Sequence, residues 1–230
     1  MRMFVEPTNA SVVPCPYIDG EDFIQRYTVL NDLTPEDFDY MLRNGWRHFG
    51  YYFFMPNCLK CNKCRPIRTL VSNFKPSKSQ RRNLKKNRDR VSVEFKSLVF
   101  SEEVYAVYKK HSLVKFNQET NLKEFKESFF SDALMGNSIL SLYRVNGKLV
   151  GVGFLDISKE ALSSIYFCYD TDFSPLGLGV YSVLKEIEYG GSLGKEFYYL
   201  GYYIKENQSM EYKAKYTPFQ LLNWDKGIWE

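Results

Sequence analysis

The order of segments in the last hundred residues constrains the fold of this 230-residue chain more than any other feature. The Asn146-Gly147 pair is a strong hairpin turn between two strand-like runs, and a third such run follows. The predicted elements are strands over 138–145, 149–157 and 162–169, a helix over about 179–189, and a strand over 197–204. We expect Gly190 and Gly191 to break the helix. This order predicts an α/β protein of the α+β type, built on one mixed sheet.

Capping and periodicity signals predict further elements upstream. Thr34 precedes Pro35 and two acidic residues, which is typical of a helix start, and Gly45 is expected to end that helix. The other predicted segments are helices over 102–116 and 122–130, and strands or hairpin arms over 48–55, 67–71 and 91–95.

A cluster of cysteines is the strongest chemical signal. Cys58, Cys61 and Cys64 form a C-x2-C-x2-C run, and Cys15 stands between two prolines that fix its backbone. This spacing brings thiolates together on a tight loop, as soft metals and iron–sulfur clusters require. Four cysteines would close one site, which predicts either zinc or an iron–sulfur cluster. The alternative is a set of reduced thiols on a loop that packs for other reasons.

Composition argues against two classes of protein. No apolar run reaches the roughly 18 residues of a membrane-spanning helix, so we expect no membrane partner. The first residues carry no apolar secretory segment, and five cysteines are an odd number for a disulfide scaffold. We therefore expect a cytoplasmic protein. Cys168 lies inside an apolar strand and is expected to be a buried core thiol.

Positive charge is concentrated in one segment. Residues 75–90 hold eight basic residues and one acidic residue, a local charge of +7 in a chain whose total is +4. Ser77 and Gln80 have the spacing of a capping box, which predicts a helix that begins there. Its basic residues fall on one face and form a cationic stripe: Lys78, Arg81, Arg82, Lys85 and Lys86. Such a stripe suits a polyanion, and a merely solvated helix face is the alternative.

A glycine-rich connection, residues 174–179, joins the third strand to the helix that follows. Gly177 and Gly179 allow close backbone approach, and the helix N-terminus offers free N–H groups to a phosphate. The connection resembles the pyrophosphate loop of the GNAT acyltransferases, Q/R-x-x-G-x-G/A, with Ser174 in place of the Gln or Arg. That departure argues against acetyl-CoA, so we expect none. A plain glycine-rich connection is the alternative.

Several segments together resemble one protein family. They are Pro14-Cys15-Pro16-Tyr17, Gly45-Trp46-Arg47, Pro56 to Arg68, Ser77 to Arg82 with Asn87, Leu178 to Leu184, Tyr199 to Ile204, and Met210 to Lys213. In this order, from residue 14 to about 216, they resemble the bacterial aspartate/glutamate leucyltransferases, relatives of the arginyl-tRNA–protein transferases. The resemblance covers nearly the whole chain.

The resemblance implies a fold and an activity. It implies a GNAT-like acyltransferase core over residues 76–230, preceded by a cysteine-bearing subdomain over residues 1–75. Family members of this kind move an amino acid from a charged tRNA to a protein N-terminus and so create a degradation signal. We expect leucine as the donor amino acid and N-terminal Asp or Glu as the acceptor. Arginine from arginyl-tRNA is one alternative, and a cysteine-braced tRNA-binding module without catalysis is another.

A third alternative comes from the glycine-rich connection alone. An acyl-CoA-dependent N-acetyltransferase would use such a loop, but it would leave the cysteines and the basic helix without a role. A binding-only module would in turn leave the second α/β half of the chain unexplained.

Site residues follow from the chemistry of aminoacyl transfer. The amine of the acceptor attacks an activated ester, so the protein must position two substrates and stabilise an oxyanion. Asp170 and Tyr169 end one strand and Tyr202 ends another, and we expect them to form the catalytic group. Asp170 would accept an amine proton, and Tyr202 would orient the carbonyl or the ribose. The alternatives are a turn-forming Asp and a packing Tyr.

Two arginines are the candidates for the acidic acceptor. Arg65 and Arg68 lie beside the cysteine loop, and the planar fork of an arginine suits a carboxylate. The cysteine loop would then brace them. His111, at the end of a predicted helix, is assigned as a helix-terminus cation in preference to a cleft residue.

Overall fold

Two extended sheets and five α-helices form most of residues 1–131, 136–205 and 207–230, the residues that this computed structural model describes. The strands are β1 (Arg2–Asn9), β2 (Val13–Pro14), β3 (Asp22–Phe23), β4 (Gln25–Asn31), β5 (Arg47–Phe49), β6 (Tyr52–Pro56), β7 (Arg65–Leu70), β8 (Ser92–Ser97), β9 (Ser138–Val145), β10 (Lys148–Ile157), β11 (Ala161–Tyr169), β12 (Phe197–Tyr203), β13 (Phe219–Asn223) and β14 (Ile228–Trp229). The α-helices are α1 (Pro35–Arg43), α2 (Lys78–Asn87), α3 (Glu102–Phe116), α4 (Leu122–Phe129) and α5 (Leu178–Ser192). Short 3-10 helices cover Val71–Asn73, Thr171–Leu176 and Glu211–Lys215.

The central sheet has eight strands in the order β14-β13-β7-β12-β11-β10-β9-β8. All neighbours in it are antiparallel except β11 and β12, which run parallel because α5 connects them. The predicted mixed α/β sheet is therefore confirmed. The hairpin turn between β9 and β10 is formed by Asn146 and Gly147, both with positive φ, as a two-residue turn requires.

The predicted end of α5 is wrong. The helix continues through Gly190 and Gly191 to Ser192, and the Leu193 N–H then bonds to carbonyls of the last turn. A Cβ added at Gly191 would lie 3.5 Å from a side-chain carbon of Val71, an ordinary packing distance, so this end of α5 lies against the turn after β7. Packing against the sheet stabilises a helix end that propensity alone predicts to break.

The helix start predicted at Thr34 and the capping box predicted at Ser77 are both confirmed, and Thr34 also forms a capping box. The hydroxyl of Thr34 accepts from the Asp37 N–H, and the Asp37 carboxylate accepts from the Thr34 N–H, at the start of α1. Ser77 and Gln80 exchange the same pair of bonds at the start of α2. The predicted helices over 102–116 and 122–130 are confirmed as α3 and α4.

The N-terminal segment forms a second sheet and also enters the first. Its four antiparallel strands lie in the order β1-β4-β6-β5, with Phe38 of α1 and Phe53 of β6 in their own core. However, β7 lies between β12 and β13 in the central sheet. The segment before residue 75 therefore supplies a strand to the core of the segment that follows it.

The central sheet is covered on both faces. Leu184 and Ile187 of α5 pack with Leu162 and Tyr198 on one face. On the other face, α3 and α4 pack with residues of β9, β10 and β11, including Cys168, whose side chain is fully buried as predicted. Among the described residues, the structure contains no helix that is long and apolar enough to span a membrane.

Candidate active site at the fork between two strands

A cleft opens where the two parallel strands of the sheet separate. β11 and β12 pair only through Ala161–Phe197, Leu162–Tyr198 and Ser163–Tyr199, and beyond Ser163 they diverge. The cavity that follows has a volume of about 520 Å³. Its wall is made mostly of apolar and aromatic residues with two basic groups: His111, Ser164, Ile165, Tyr166, Phe167, Tyr169, Gly177, Leu178, Gly179, Val180, Ser182, Val183, Leu200, Tyr212 and Lys213. A fork of this kind exposes backbone and side chains of both strands to a ligand.

The base of the fork is closed by an arginine from the N-terminal sheet. Arg47, on β5, donates from one Nη to the Ser163 hydroxyl at 2.6 Å and from the other to the Ser164 carbonyl. These residues are the last paired position of β11 and the first that diverges. Arg47 therefore marks the point at which the strands part.

Lys213 enters the same region from the 3-10 helix after β12. Its Nζ donates to the Tyr202 carbonyl at 2.6 Å. Burial, with the charge of Arg47 as the second cause, lowers the pKa of Lys213 to about 8. Gly201, with φ of +85°, interrupts the pairing of β12 with β7, and a Cβ built there would lie 3.7 Å from Nζ of Lys213 and 3.9 Å from Nε of Arg47. The two cations thus approach one point in space.

His111 is a buried cleft residue, which corrects its assignment as a helix-terminus cation. Its Nδ1 lies 3.0 Å from the carbonyl oxygen and 3.3 Å from the backbone nitrogen of Tyr169. Burial is the main cause that lowers the pKa of His111, and the charge of Lys115 adds to it. The neutral imidazole is therefore favoured, in contrast to the cation that we expected.

The N-terminus of α5 forms the opposite wall of the cleft and is fixed by α2. Nδ2 of Asn83 donates to the carbonyls of Leu176 and Gly177, and Nδ2 of Asn87 also donates to Leu176. Gly177 has φ of +66°, and a Cβ there would lie 2.7 Å from the Asn83 nitrogen. The glycine is thus required both for the turn and for close contact with the basic helix.

The cationic stripe of α2 faces solvent. Its five members are all exposed, and within the part of the chain that the structure covers none of them forms a salt bridge. Lys86 donates to the Pro175 carbonyl in the connection before α5. The stripe therefore continues to the edge of the cleft at the α5 N-terminus.

The carboxylate of Asp170 is already bound by neighbouring groups of the protein. Its carboxylate pairs with the ammonium groups of Lys110 and Lys148, the latter at 2.8 Å, and accepts from the Asp172 N–H. Burial opposes ionisation, but these partners outweigh it, and the pKa of Asp170 is lowered. An ionised carboxylate held by two lysines is a poor proton acceptor. This placement agrees with the turn-forming alternative rather than with the catalytic role that we expected.

The two tyrosines of the expected catalytic group are separated. The hydroxyl of Tyr202 is within donating distance of the Gly45 carbonyl at 2.8 Å and the Phe54 carbonyl at 3.1 Å. Burial raises the pKa of Tyr202, so its phenol stays neutral and holds the N-terminal sheet against β12. Tyr169, by contrast, lines the cleft beside His111, with 5.0 Å between ring centroids.

Arg65 and Arg68 are also used by the fold. Arg65 donates to the Leu222 carbonyl at 3.0 Å and to the Glu230 carboxylate at 2.8 Å. The Arg68 guanidinium lies 3.6 Å from the Phe197 ring centroid and 4.3 Å from that of Trp229, and only 8% of the residue is exposed. Neither guanidinium is free to receive an acceptor carboxylate, and so we assign that role elsewhere.

The four cysteines of the expected metal site are neighbours. Burial is the first cause that raises the pKa of Cys64 to about 12, and the charges of Cys15, Cys58 and Cys61 add to it. Within residues 1–131, 136–205 and 207–230, however, no three His, Cys, Asp or Glu side chains are grouped closely enough to hold a metal ion. The four predicted cysteines thus lie near one another without the geometry of a metal site. Zinc or an iron–sulfur cluster at these cysteines therefore stays a prediction.

Sequence reasoning assigned no role to Arg47 or Lys213, the two cations at the fork. Both lay inside quoted motifs, Gly45-Trp46-Arg47 and Met210 to Lys213. Two facts could have identified these residues from the sequence. Both lie in segments that resemble the family, and neither has an evident local structural role. Their convergence could not be read from the sequence because 166 residues separate them.

Comparisons with known proteins agree with this architecture. Models described as "Arginine-tRNA-protein transferase, N terminus" and "Arginine-tRNA-protein transferase, C terminus" match residues 13–82 and 101–223. An aspartate/glutamate leucyltransferase from Helicobacter hepaticus is 32% identical over 226 residues, covering 94% of this chain and 93% of the relative.

Two solved structures are similar in fold. FemX matches with a TM-score of 0.55 and 11% identity, covering 86% of this chain and 69% of its own. L-PGS from Bacillus licheniformis matches with a TM-score of 0.51 and 15% identity, covering 77% of this chain and 53% of its own. At these identities the likeness concerns the fold alone, which is a GNAT-like acyltransferase core.

Proposed function

The chain belongs to the arginine-tRNA–protein transferase family, and from that premise we propose that it moves leucine from leucyl-tRNA to N-terminal Asp or Glu residues of other proteins. It is an aminoacyltransferase, and the observation that supports a site for it is the cleft at the fork of β11 and β12. A leucylated N-terminus would mark the acceptor for degradation. Because its donor is a charged tRNA, we place the activity in the cytoplasm.

The reaction needs little more than positioning. The neutral α-amine attacks the carbonyl carbon of the ester between leucine and the terminal ribose, an N–C bond forms, and the ester C–O bond breaks. One amine proton leaves, and the ribose oxygen gains one. In this scheme the neutral imidazole of His111 and the phenol of Tyr169, which line the cleft together, are the groups placed to pass that proton.

The cleft favours leucine over arginine as the donor side chain. Apolar groups such as Ile165, Val183 and Leu200 line it, and no Asp or Glu is among its lining residues in the described part of the chain. A guanidinium placed there would lose its hydration without gaining a carboxylate, whereas a leucine side chain would only lose contact with water. The ammonium group of Lys213 would also repel arginine.

The tRNA is proposed to approach along α2. Its cationic stripe is exposed, and Asn83 and Asn87 of the same helix hold the connection that contains Gly177. The N-terminus of α5, with Gly179 in its first turn, would then receive a phosphate near the 3′ end of the tRNA. This arrangement leads from the surface of α2 into the cleft.

A transfer assay tests the proposal. Leucyl-tRNA and arginyl-tRNA, each labelled in the amino acid, are supplied with peptides that begin with Asp, Glu or Ala. We expect label from leucyl-tRNA in the Asp and Glu peptides only. Transfer from arginyl-tRNA alone would contradict the donor while leaving the family assignment intact. Tight tRNA binding with no transfer from either donor would favour the non-catalytic binding module.

A further inference from the structure

Two cations that have no salt-bridge partner among the described residues lie at the base of the cleft, and they require an explanation. Within the described residues, neither Nζ of Lys213 nor the guanidinium of Arg47 has a carboxylate within salt-bridge distance. Lys213 has one hydrogen bond, to the Tyr202 carbonyl, although an ammonium group can donate three. The charge of Asp156 acts on Arg47 from beyond that distance, so Lys213 is the cation that lacks an anion among the described residues. A half-buried cation of this kind is costly, which indicates a site shaped for an anionic ligand.

The two cations converge at one glycine of the backbone. Gly201 lies on β12 next to both cations, and the place where its Cβ would stand is 3.7 Å from Nζ of Lys213 and 3.9 Å from Nε of Arg47. The two Nη atoms of Arg47 carry the bonds to Ser163 and Ser164, and its Nε has no hydrogen-bond partner among the described residues. Nε of Arg47 and Nζ of Lys213, both with unused donors, therefore lie within 4 Å of the same point.

We propose that Lys213, supported by Arg47, binds the side-chain carboxylate of the acceptor's N-terminal Asp or Glu and thereby sets the preference for acidic acceptors. This inference rests on the proposed function and assigns the residue that reads the acceptor. Arg47 is fixed at the fork, so it acts as a positioning cation that holds the carboxylate near Lys213. Burial, with the charge of Arg47 in second place, lowers the pKa of Lys213, and an incoming carboxylate would stabilise its charged form.

The position of Lys213 suits this role geometrically. It lines the same cleft as Tyr169 and His111, while Arg47 closes the fork beneath it. An acceptor whose side chain points to the fork would place its α-amine towards the middle of the cleft. The side chain of the acceptor's first residue would thus bind at the base of the cleft. Its α-amine would face the proposed position of the ester.

The test compares an isosteric pair of peptides that begin with Asp or Asn. The unmodified protein is expected to prefer Asp, and Lys213→Met should reduce the Asp-to-Asn ratio of kcat/KM by roughly 10- to 100-fold, as expected for a lost charge-assisted bond. Transfer to the Asn peptide should change little. Lys213→Arg should retain most of the preference. Lys215→Met is the matched control, because it removes the same charge from an exposed side chain of the same 3-10 helix.

Each contrary result has a distinct meaning. An unchanged Asp-to-Asn ratio in Lys213→Met would overturn the inference. Equal loss of transfer to both peptides would also overturn it, because that is the signature of a proton acceptor. If Lys213→Met is inactive with every peptide, the Asp-to-Asn ratio of peptide affinity by calorimetry decides, and an unchanged ratio refutes the role. Failure of the unmodified protein to transfer leucine would instead refute the proposed function, and the same affinity ratio would still test Lys213.

Discussion

At the scale of single residues, charge partners decide which candidates can do chemistry. Asp170 was expected to accept a proton, yet two lysines and a backbone N–H occupy its carboxylate. Lys110 and Lys148 are distant from it in sequence, so nothing local signals the pairing. The sequence identified a strand end with polar groups correctly but could not show that these groups were already satisfied.

Asp170→Asn therefore should affect stability more than chemistry. Loss of its ion pairs is expected to lower the free energy of unfolding by about 1–2 kcal/mol, because one buried acceptor of charged donors becomes neutral. Urea denaturation measures this change. The acid limb of the pH–rate profile for leucine transfer should stay where it is. If the turnover rate instead fell by about two orders of magnitude at unchanged stability, Asp170 would be the proton acceptor after all.

The ionisation of Glu186 should make the stability of the folded protein depend on pH. It is buried within α5 and accepts hydrogen bonds from the hydroxyls of Tyr198 and Ser141. Burial, partly offset by these bonds, raises the pKa of Glu186 to about 7. The folded state therefore holds a proton that the unfolded state releases near pH 4.5, so stability should fall as pH rises from about 4.5 to 7, by on the order of 3 kcal/mol.

Urea denaturation between pH 4.5 and 8 measures this slope, and Glu186→Gln is the informative variant. The amide cannot ionise, so most of the decline with pH should disappear even if the variant is less stable at every pH. Glu188→Gln is the matched control, because that residue is an exposed glutamate on the same helix. An equally steep decline in Glu186→Gln would show that another group titrates.

At the scale of elements, local signals predicted α2 well. The capping box, the start of the helix and the placement of its basic residues on one face all agree with the sequence. What the sequence did not show is the contact of its opposite side with the connection before α5, which depends on Asn83 and Asn87. The helix thus joins an exposed basic surface to the cleft.

Neutralising the stripe should weaken tRNA binding in a salt-dependent way. Replacing Lys78, Arg81, Arg82, Lys85 and Lys86 by Gln removes up to five phosphate partners. Each engaged contact adds roughly 0.7 to 0.9 to the slope of log affinity against log salt, so the slope should fall by several units. A salt series of tRNA affinities measures it, and circular dichroism confirms that the variant is folded.

A second five-site variant provides the control for charge alone. It carries Gln at five exposed lysines on other elements: Lys60, Lys96, Lys123, Lys159 and Lys226. Its salt slope should stay within one unit of the parent. If log affinity falls with log salt at the same slope for the parent and the α2 variant, the tRNA binds to another surface.

The cysteine loop is the element whose chemistry remains a prediction. Cys15, Cys58, Cys61 and Cys64 are close enough for their charges to interact, and preparation without oxygen should yield about one zinc ion or one iron–sulfur cluster per chain. Elemental analysis and visible absorbance distinguish the two. Cys61→Ser should lose the metal while the core variant Cys168→Ser retains it. A metal-free parent with full transferase activity would identify the thiols as structural.

At the scale of the whole molecule, the central sheet contains strands from both of the segments into which the sequence was divided. The family resemblance implied a division between residues 1–75 and 76–230. The structure places β7 between β12 and β13, where it pairs with both. Strand order of this kind depends on contacts more than a hundred residues apart, which hydrophobic periodicity does not encode. The local elements of the core were predictable, whereas their sharing between segments was not.

This shared sheet makes a final prediction about folding. Residues 76–230 expressed alone should fail to fold cooperatively, because β12 and β13 would lose the strand between them and expose apolar faces. Conversely, the intact chain cut by a protease at a site inserted after Lys75 should stay folded and active. Size-exclusion chromatography of the cut protein should elute both pieces together, held by β7 and by the bonds of Arg47 and Tyr202. A stable, monomeric fragment 76–230 with a sharp unfolding transition would show instead that β7 is dispensable and that the two segments are independent domains.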